Sequence, residues 1–279
     1  MPVRTSVPQI LEMARRGERI TAITAYDYAM ARLVDSCGVP IILVGDSLSN
    51  NMLGYEGTIP VTMDDMLRHA AAVVRGSEHA LVIGDMPFMS YQADEADAIR
   101  NAGRFLKEAG CQAVKLEGGR TVAGTIRKLV GFGIPVMGHL GLTPQSLNTI
   151  GGYRVQGRTV KQARILLEDA VAIEEAGAFS LVLEYVAAPV AKLISDRLQI
   201  PTIGIGAGPH CDGQVQIIHD ILGLAPDIHF KHTRRYAEIG EAIRQAVAAY
   251  KDDVVAGGFP AAGESFAMKP EDEAELASL

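Results

Sequence analysis

Apolar residues in this chain fall into short dense runs separated by longer stretches with helical spacing. The runs are ITAITAYD (20–27), PIILVGDS (40–47), ALVIGDMP (80–87), AVKLEGG (113–119), IPVMGHLGL (134–142), SLVLEYV (180–186), IPTIGIGAG (200–208) and a weaker DIHFKHT (227–233). Near-continuous leucine and β-branched runs predict parallel strands covered on both faces. Between them, segments such as DEADAIRNAGRFLKEAG and KQARILLEDAVAIEEAG carry helical spacing and end in Ala-Gly, a helix-stop signal. Eight alternating units predict an α/β protein, a closed (β/α)8 TIM barrel. An open doubly wound sheet is the alternative. Against it, the first strand lacks a GxGxxG loop, and polar groups recur at many strand ends instead of at one switch point.

Ahead of the first strand, SVPQILEMARRGE reads as an extra N-terminal helix. Ser6 with Gln9 fits a capping box and Pro8 suits the first turn. Such a helix is placed to plug the barrel floor. No linker or second domain is evident, so residues 1–279 are expected to form one barrel domain, with about 268–279 a flexible acidic tail.

Composition narrows the function. The 279 residues are 48% hydrophobic and 21% charged, with a net charge of −7. That balance suits a globular core and argues against a nucleic-acid partner, which needs a basic face. Cys37, Cys111 and Cys211 are far apart, as expected of reduced thiols and not of a disulfide framework or zinc site. No stretch approaches the ~20 apolar residues of a membrane span, and no signal peptide is evident. A cytoplasmic enzyme without a membrane partner is expected.

In a barrel of this kind, chemistry is done at the C-terminal strand ends. Those ends carry Tyr26-Asp27, Asp46-Ser47, Asp85, Lys115 with Glu117, His139, Glu184 and the glycines Gly204, Gly206 and Gly208. A single acid in such a place is explained as a helix N-cap. Asp46, Asp85 and Glu117 lie on three adjacent strands, where converging carboxylates call for a cation; magnesium, with its preference for oxygen, fits. Lys115 and Glu117 are two apart and share a face, so one can meet an anionic substrate while the other supports the metal. A Schiff-base role for Lys115 is the second reading. His139 is open between a core histidine and a substrate hydrogen-bond donor. The glycines read as a close-approach turn, His229 and His232 as solvated or supporting groups, and Cys211 as packing.

Several blocks, in this order and spacing, resemble the ketopantoate hydroxymethyltransferase family over nearly the whole chain. They are TAYDYAMARLVD (24–35), VGDSLSNNMLGYEGTIPVTMDDMLRH (44–69), DMPFMSY (85–91), KLEGG (115–119), GHLGLTPQS (138–146), IPTIGIGAGPHCDGQV (200–215) and GGFP (257–260). The resemblance implies a (β/α)8 barrel related to the phosphoenolpyruvate/pyruvate enzymes. It also implies magnesium held by Asp46 and Asp85 with Glu117 near or on the metal, and a 2-oxo acid bound at Asp46, Ser47, Asp85 and Lys115. Glu184 corresponds to the proton acceptor, and His139 is grouped with the substrate contacts. The implied reaction moves a hydroxymethyl group from 5,10-methylenetetrahydrofolate to 3-methyl-2-oxobutanoate, giving ketopantoate for pantothenate and coenzyme A synthesis. Homo-oligomers, commonly decamers, are implied as well. The chain departs from the family at Tyr185 and Ala187, where a small residue and a proline are usual, at Gln216, and around HFKHTRRY.

Overall fold

The computed structural model describes residues 4–225, 230–276 and 278. It divides into two compact units, residues 1–218 with 230–234 and residues 219–229 with 235–279. The first holds a closed barrel in which eight parallel strands pair in sequence order, the last with the first. The strands are β1 Ile20–Thr24, β2 Ile41–Val44, β3 Leu81–Asp85, β4 Ala113–Glu117, β5 Val136–Gly141, β6 Ser180–Glu184, β7 Thr202–Ile205 and β8 Gly213–Gln216. Helix α1 (Val7–Arg15) precedes β1, and α2 (Tyr28–Ser36) follows it. Short α3 (Leu48–Asn51) and long α4 (Met63–Gly76) follow β2. After β3 comes α5 (Glu95–Arg104), which runs into a π-helical turn, Phe105–Ala109. Helix α6 (Ala123–Gly131) follows β4, α7 (Leu147–Ile150) and α8 (Val160–Glu175) follow β5, and α9 (Ala188–Arg197) follows β6.

The eighth strand corrects the sequence reading. DIHFKHT (227–233) was the expected strand, but β8 is GQVQ, paired to β1 through Ile20↔Gly213 and to β7 through Ile203↔Gly213. Residues 227–229 lie outside the described residues, while Phe230–Thr233 form a turn in which the Thr233 N–H donates to the Phe230 carbonyl at 3.1 Å. Strands β7 and β8 are joined by residues 206–212 with no helix between them. Gly208 permits this crossing (φ +83°): a Cβ there would stand 2.6 Å from the Ala188 Cβ.

Inward-facing residues sort by height. The lower interior is apolar: Ile20, Ile41, Leu81, Ile83, Met137, Val182, Ile203 and Val215 form one cluster. Helix α1 closes this end, with Ile10 fully buried in the cluster and Val7, Met13 and Ala14 packed against it. Its start is set by Gln9, whose side-chain oxygen accepts the Ser6 main-chain N–H at 2.8 Å. The incoming chain is fastened by the Thr5 N–H donating to the His79 carbonyl at 2.6 Å and by Arg4 donating to the Ala80 carbonyl at 2.9 Å.

The same α4–β3 turn is organised by the buried Asp35 carboxylate at the end of α2. It accepts the N–H groups of Glu78, His79 and Ala80 at 2.8 to 3.2 Å and the Ser77 hydroxyl at 3.2 Å. Burial alone would raise its pKa, but these bonds outweigh it and hold the group at about 2. Both expected Ala-Gly stops are realised, with Gly110 and Gly177 in the left-handed region.

Helix α10 (Ile218–Ile221) begins at the last residue of the first unit's main segment; in the second unit α11 (Ile239–Ala256) is followed by α12 (Pro270–Leu276). Ile239, Ile243, Val247, Tyr250 and Val254 make an exposed apolar stripe along α11. Among the described residues no helix is long and apolar enough to cross a membrane.

Candidate active site

Above the apolar layer, the C-terminal ends of β2 to β6 direct charge into the barrel. Strand register brings the groups together: Asp85 is opposite Lys115, Glu117 opposite His139, and Glu184 opposite Gly141. Alternation along β4 places Lys115 and Glu117 on one face, as their spacing predicts. Asp46, Asp85, Lys115, Glu117 and His139 are all buried.

Lys115 Nζ pairs with Asp85 Oδ1 at 2.8 Å and lies 3.2 Å from His139 Nδ1. The Asp46 main-chain N–H donates to the other Asp85 oxygen at 3.0 Å, tying β2 to β3. His139 stands between two acids, with Nδ1 3.3 Å from Glu117 Oε1 and Nε2 3.3 Å from Glu184 Oε2. This settles His139 as part of the charged cluster and not as an isolated core histidine. Ser47 contributes through its hydroxyl, 2.7 Å from the Tyr26 hydroxyl. Asp27, in contrast, is a helix cap: its carboxylate accepts the Met30 N–H at 2.8 Å.

Two neutral residues were missed in the sequence. The Gln145 side-chain amide donates to Asp46 Oδ2 and to the Met86 carbonyl, each at 3.0 Å, and its main-chain N–H donates to Glu117 Oε2 at 3.1 Å. The Tyr91 hydroxyl donates to Gln145 Oε1 at 2.7 Å and accepts the Glu117 N–H at 3.1 Å. Their only signal was position, in the DMPFMSY and GHLGLTPQS blocks.

The electrostatics are unbalanced. Burial, then repulsion from Glu117, raises Asp46 to about 6. Burial raises Asp85 to about 6 against the pull of Lys115. Lys115 is held charged: burial opposes this, but Asp85, Glu117 and Asp46 together raise its pKa. Burial and Lys115 push His139 down, yet Glu117 and Glu184 prevail and raise it to about 9. Four carboxylates thus face one ammonium and one imidazolium. Glu117 Oε1 is buried without a hydrogen bond, and Asp85 Oδ1 has the Lys115 ion pair but no aligned hydrogen bond. Surplus negative charge on unsatisfied oxygens is the donor chemistry of a hard divalent cation. Among the described residues no three His, Cys, Asp or Glu side chains form a ready-made cage. Magnesium takes one or two carboxylates and completes its shell with water and substrate.

Beside the site, Tyr185 occupies the left-handed region (φ +48°), where a non-glycine residue is strained by roughly 1–3 kcal/mol. Both its main-chain groups are tied, N–H to the Ile205 carbonyl at 2.9 Å and C=O to the Gln156 N–H at 2.7 Å. Its ring meets His232 edge-on, centroids 4.8 Å apart. Gly206 lies beneath this pair, its missing Cβ 3.3 Å from each ring, so the GIGAG turn is one of close approach.

A parallel barrel closed at one end, with buried acids, a lysine and a histidine gathered at the other, has the layout of a (β/α)8-barrel enzyme, whose chemistry is done at the C-terminal strand ends. The sequence profile of the family described as ketopantoate hydroxymethyltransferase matches residues 4–262. A relative from Dehalococcoides mccartyi (strain CBDB1), named 3-methyl-2-oxobutanoate hydroxymethyltransferase, is 53% identical over 95% of each chain. One of the same name from Chloroflexus aurantiacus (strain ATCC 29366 / DSM 635 / J-10-fl) is 54% identical over 99% of this chain and 96% of its own. The chain belongs to the ketopantoate hydroxymethyltransferase family. The fold is shared more widely. A 2,3-dimethylmalate lyase of the PEP mutase/isocitrate lyase superfamily superposes with a TM-score of 0.60 at 18% identity, covering 99% of both chains. A phosphonopyruvate hydrolase, solved with oxalate and magnesium, gives 0.57 at 16% identity over 93% of both.

Proposed function

We propose that the enzyme transfers a hydroxymethyl group from 5,10-methylenetetrahydrofolate to C3 of 3-methyl-2-oxobutanoate, giving ketopantoate. Family membership over residues 4–262 supports the reaction. The observation that carries the mechanism is the placement of Glu184 beside His139, at the edge of a cluster that holds Lys115 against Asp85. Asp46 and Asp85 would hold magnesium, with Glu117 beside them; bound there, the ion would supply Lewis-acid polarisation of the substrate's keto group.

The chain's own residues do the rest. The Lys115 ammonium attracts the oxo acid and adds positive charge where the enolate oxygen becomes negative. Ser47 lies at the same strand ends and supplies a hydroxyl to the substrate's oxygens. Glu184 takes the C3 proton, and His139 orients its carboxylate from 3.3 Å. The resulting carbanion bonds to the one-carbon unit, whose two C–N bonds to the folate break. Water supplies the hydroxyl oxygen, the proton taken by Glu184 and one from the water go to the two nitrogens, and tetrahydrofolate leaves. The exposed apolar stripe of α11 supports a homo-oligomer, in keeping with the decamers the resemblance implies.

The test is product formation from the two substrates with magnesium, with C3 hydrogen exchange of the oxo acid followed by NMR in deuterated buffer. Ketopantoate formed in both a folate- and a magnesium-dependent manner is the expected result. Turnover that persists in excess chelator would sink the metal assignment.

A further inference from the structure

From Gly118 to Leu167 the chain contains no Asp or Glu, although it has 33 acids in all and a net charge of −7. This stretch carries seven cations, Arg120, Arg127, Lys128, Arg154, Arg158, Lys161 and Arg164. Arg120 is neutralised by Glu168 and Asp169, and Lys128 by Glu95. Among the described residues, Arg154, Arg158, Lys161 and Arg164 form no salt bridge. Unpaired cations grouped on an acidic protein mark a place that receives negative charge from outside.

Two of these cations, Arg154 and Arg158, line a cleft. Its volume is about 790 Å³, and its walls include Tyr153, Arg154, Gln156, Arg158 and Thr159. No acid lines it, and its two charged residues are both arginines. The cleft is anchored to the catalytic strand immediately past the base. Gln156 forms a parallel bridge with Val186, its N–H donating to the Tyr185 carbonyl at 2.7 Å and its carbonyl accepting the Ala187 N–H at 3.0 Å. Tyr153 lines the cleft, and its phenol is raised by burial and then by the charge of Glu184 and Asp46.

We infer that this cleft binds the glutamyl carboxylates of the one-carbon donor, with Arg154 and Arg158 as their partners and Tyr153 beside the aromatic part. The inference rests on the folate reading above and assigns the part of that substrate that extends beyond the barrel mouth. The chemistry matches. A reduced folate has a reactive ring at one end and at least two carboxylates at the other. Guanidinium groups bind carboxylates with paired hydrogen bonds. The overall −7 charge would otherwise repel such a tail.

The experiment compares wild type, Arg154→Ala, Arg158→Ala and the double variant. Donors would be methylenetetrahydropteroate, which lacks glutamate, and the methylenetetrahydrofolates with one and three glutamyl residues. In wild type KM should fall as the tail is added. Each single variant should raise KM for the triglutamyl donor roughly tenfold, as expected for a charge-assisted contact. In the double variant the KM ratio between tail-less and triglutamyl donors should approach one. Melting curves report the fold, and Arg158→Lys should recover part of the ratio because it restores charge without the fork.

A wild-type tail dependence that persists in a folded double variant would overturn the site. Inorganic phosphate that stabilises wild type through these arginines, with donor KM untouched by their loss, would assign the cleft to a phosphate and also overturn it. Wild type that exchanges the C3 hydrogen but makes no product from any folate would instead overturn the donor reading, and this site with it.

Discussion

Gln145 holds Asp46 with its side chain, amide to carboxylate at 3.0 Å, and holds Glu117 with its main chain at 3.1 Å. One uncharged residue therefore sets the separation of two carboxylates that would otherwise repel. Groups that orient metal-binding side chains in this way are typically worth 10–100-fold in affinity or activity. Gln145→Leu keeps similar bulk and should weaken magnesium binding on that scale, read by calorimetric titration. Gln145→Glu should be worse, because it adds a fifth acid. Wild-type magnesium affinity in Gln145→Leu would reduce the residue to packing.

Glu184→Gln retains size and hydrogen bonding but not basicity. Exchange of the C3 hydrogen should fall by ~10²–10⁴-fold while oxo-acid binding survives. Undiminished exchange would move the base to another group.

Lys115 and Asp85 are a buried ion pair, and removing one partner strands the other. Breaking such a pair costs about 3–5 kcal/mol, whereas replacing both partners is often nearly neutral. Asp85→Asn should abolish turnover and lower the melting temperature. Adding Lys115→Met should restore the melting temperature but not turnover. Parallel recovery of both would show that the pair serves stability alone.

Asp35 predicts an acid limb. Its folded pKa of about 2 lies below the ordinary 3.8. The group's stabilisation is therefore fully present above pH 4 and is lost as pH falls from 3.8 through 2. The shift corresponds to about 2 kcal/mol. Asp35→Asn should lower stability at neutral pH and flatten its pH dependence within that window, as measured by denaturant unfolding. An unchanged slope there would locate the acid sensitivity elsewhere.

The barrel was legible because its strands β1 to β7 lie in near-continuous apolar runs, as expected of parallel strands covered on both faces. β8 was not. GQVQ buries Gly213 and Val215 between two glutamines and follows β7 without a helix, so neither hydrophobicity nor the strand–helix rhythm marks it. The charged site residues could be read because each terminates an apolar run. Gln145 and Tyr91 could not, since they are neutral, lie in loops past the strand ends, and are revealed only by what they bond. Asp27 looked the same as Asp46 in sequence; only the Met30 N–H it accepts separates a cap from a site residue.

Helix α1 packs its Ile10 into the apolar layer, so among the described residues the charged mouth is the doorway to the cluster. Traffic through one doorway is sequential. In the proposed reaction the small oxo acid would arrive first, the bulkier donor would stand behind it, and the hydroxymethylated acid would leave only after the spent donor had withdrawn. Steady-state kinetics should therefore follow a compulsory order. The hydroxymethylated acid should compete with the oxo acid, the spent folate should give mixed inhibition against the donor, and excess donor should trap the enzyme before the acid has entered.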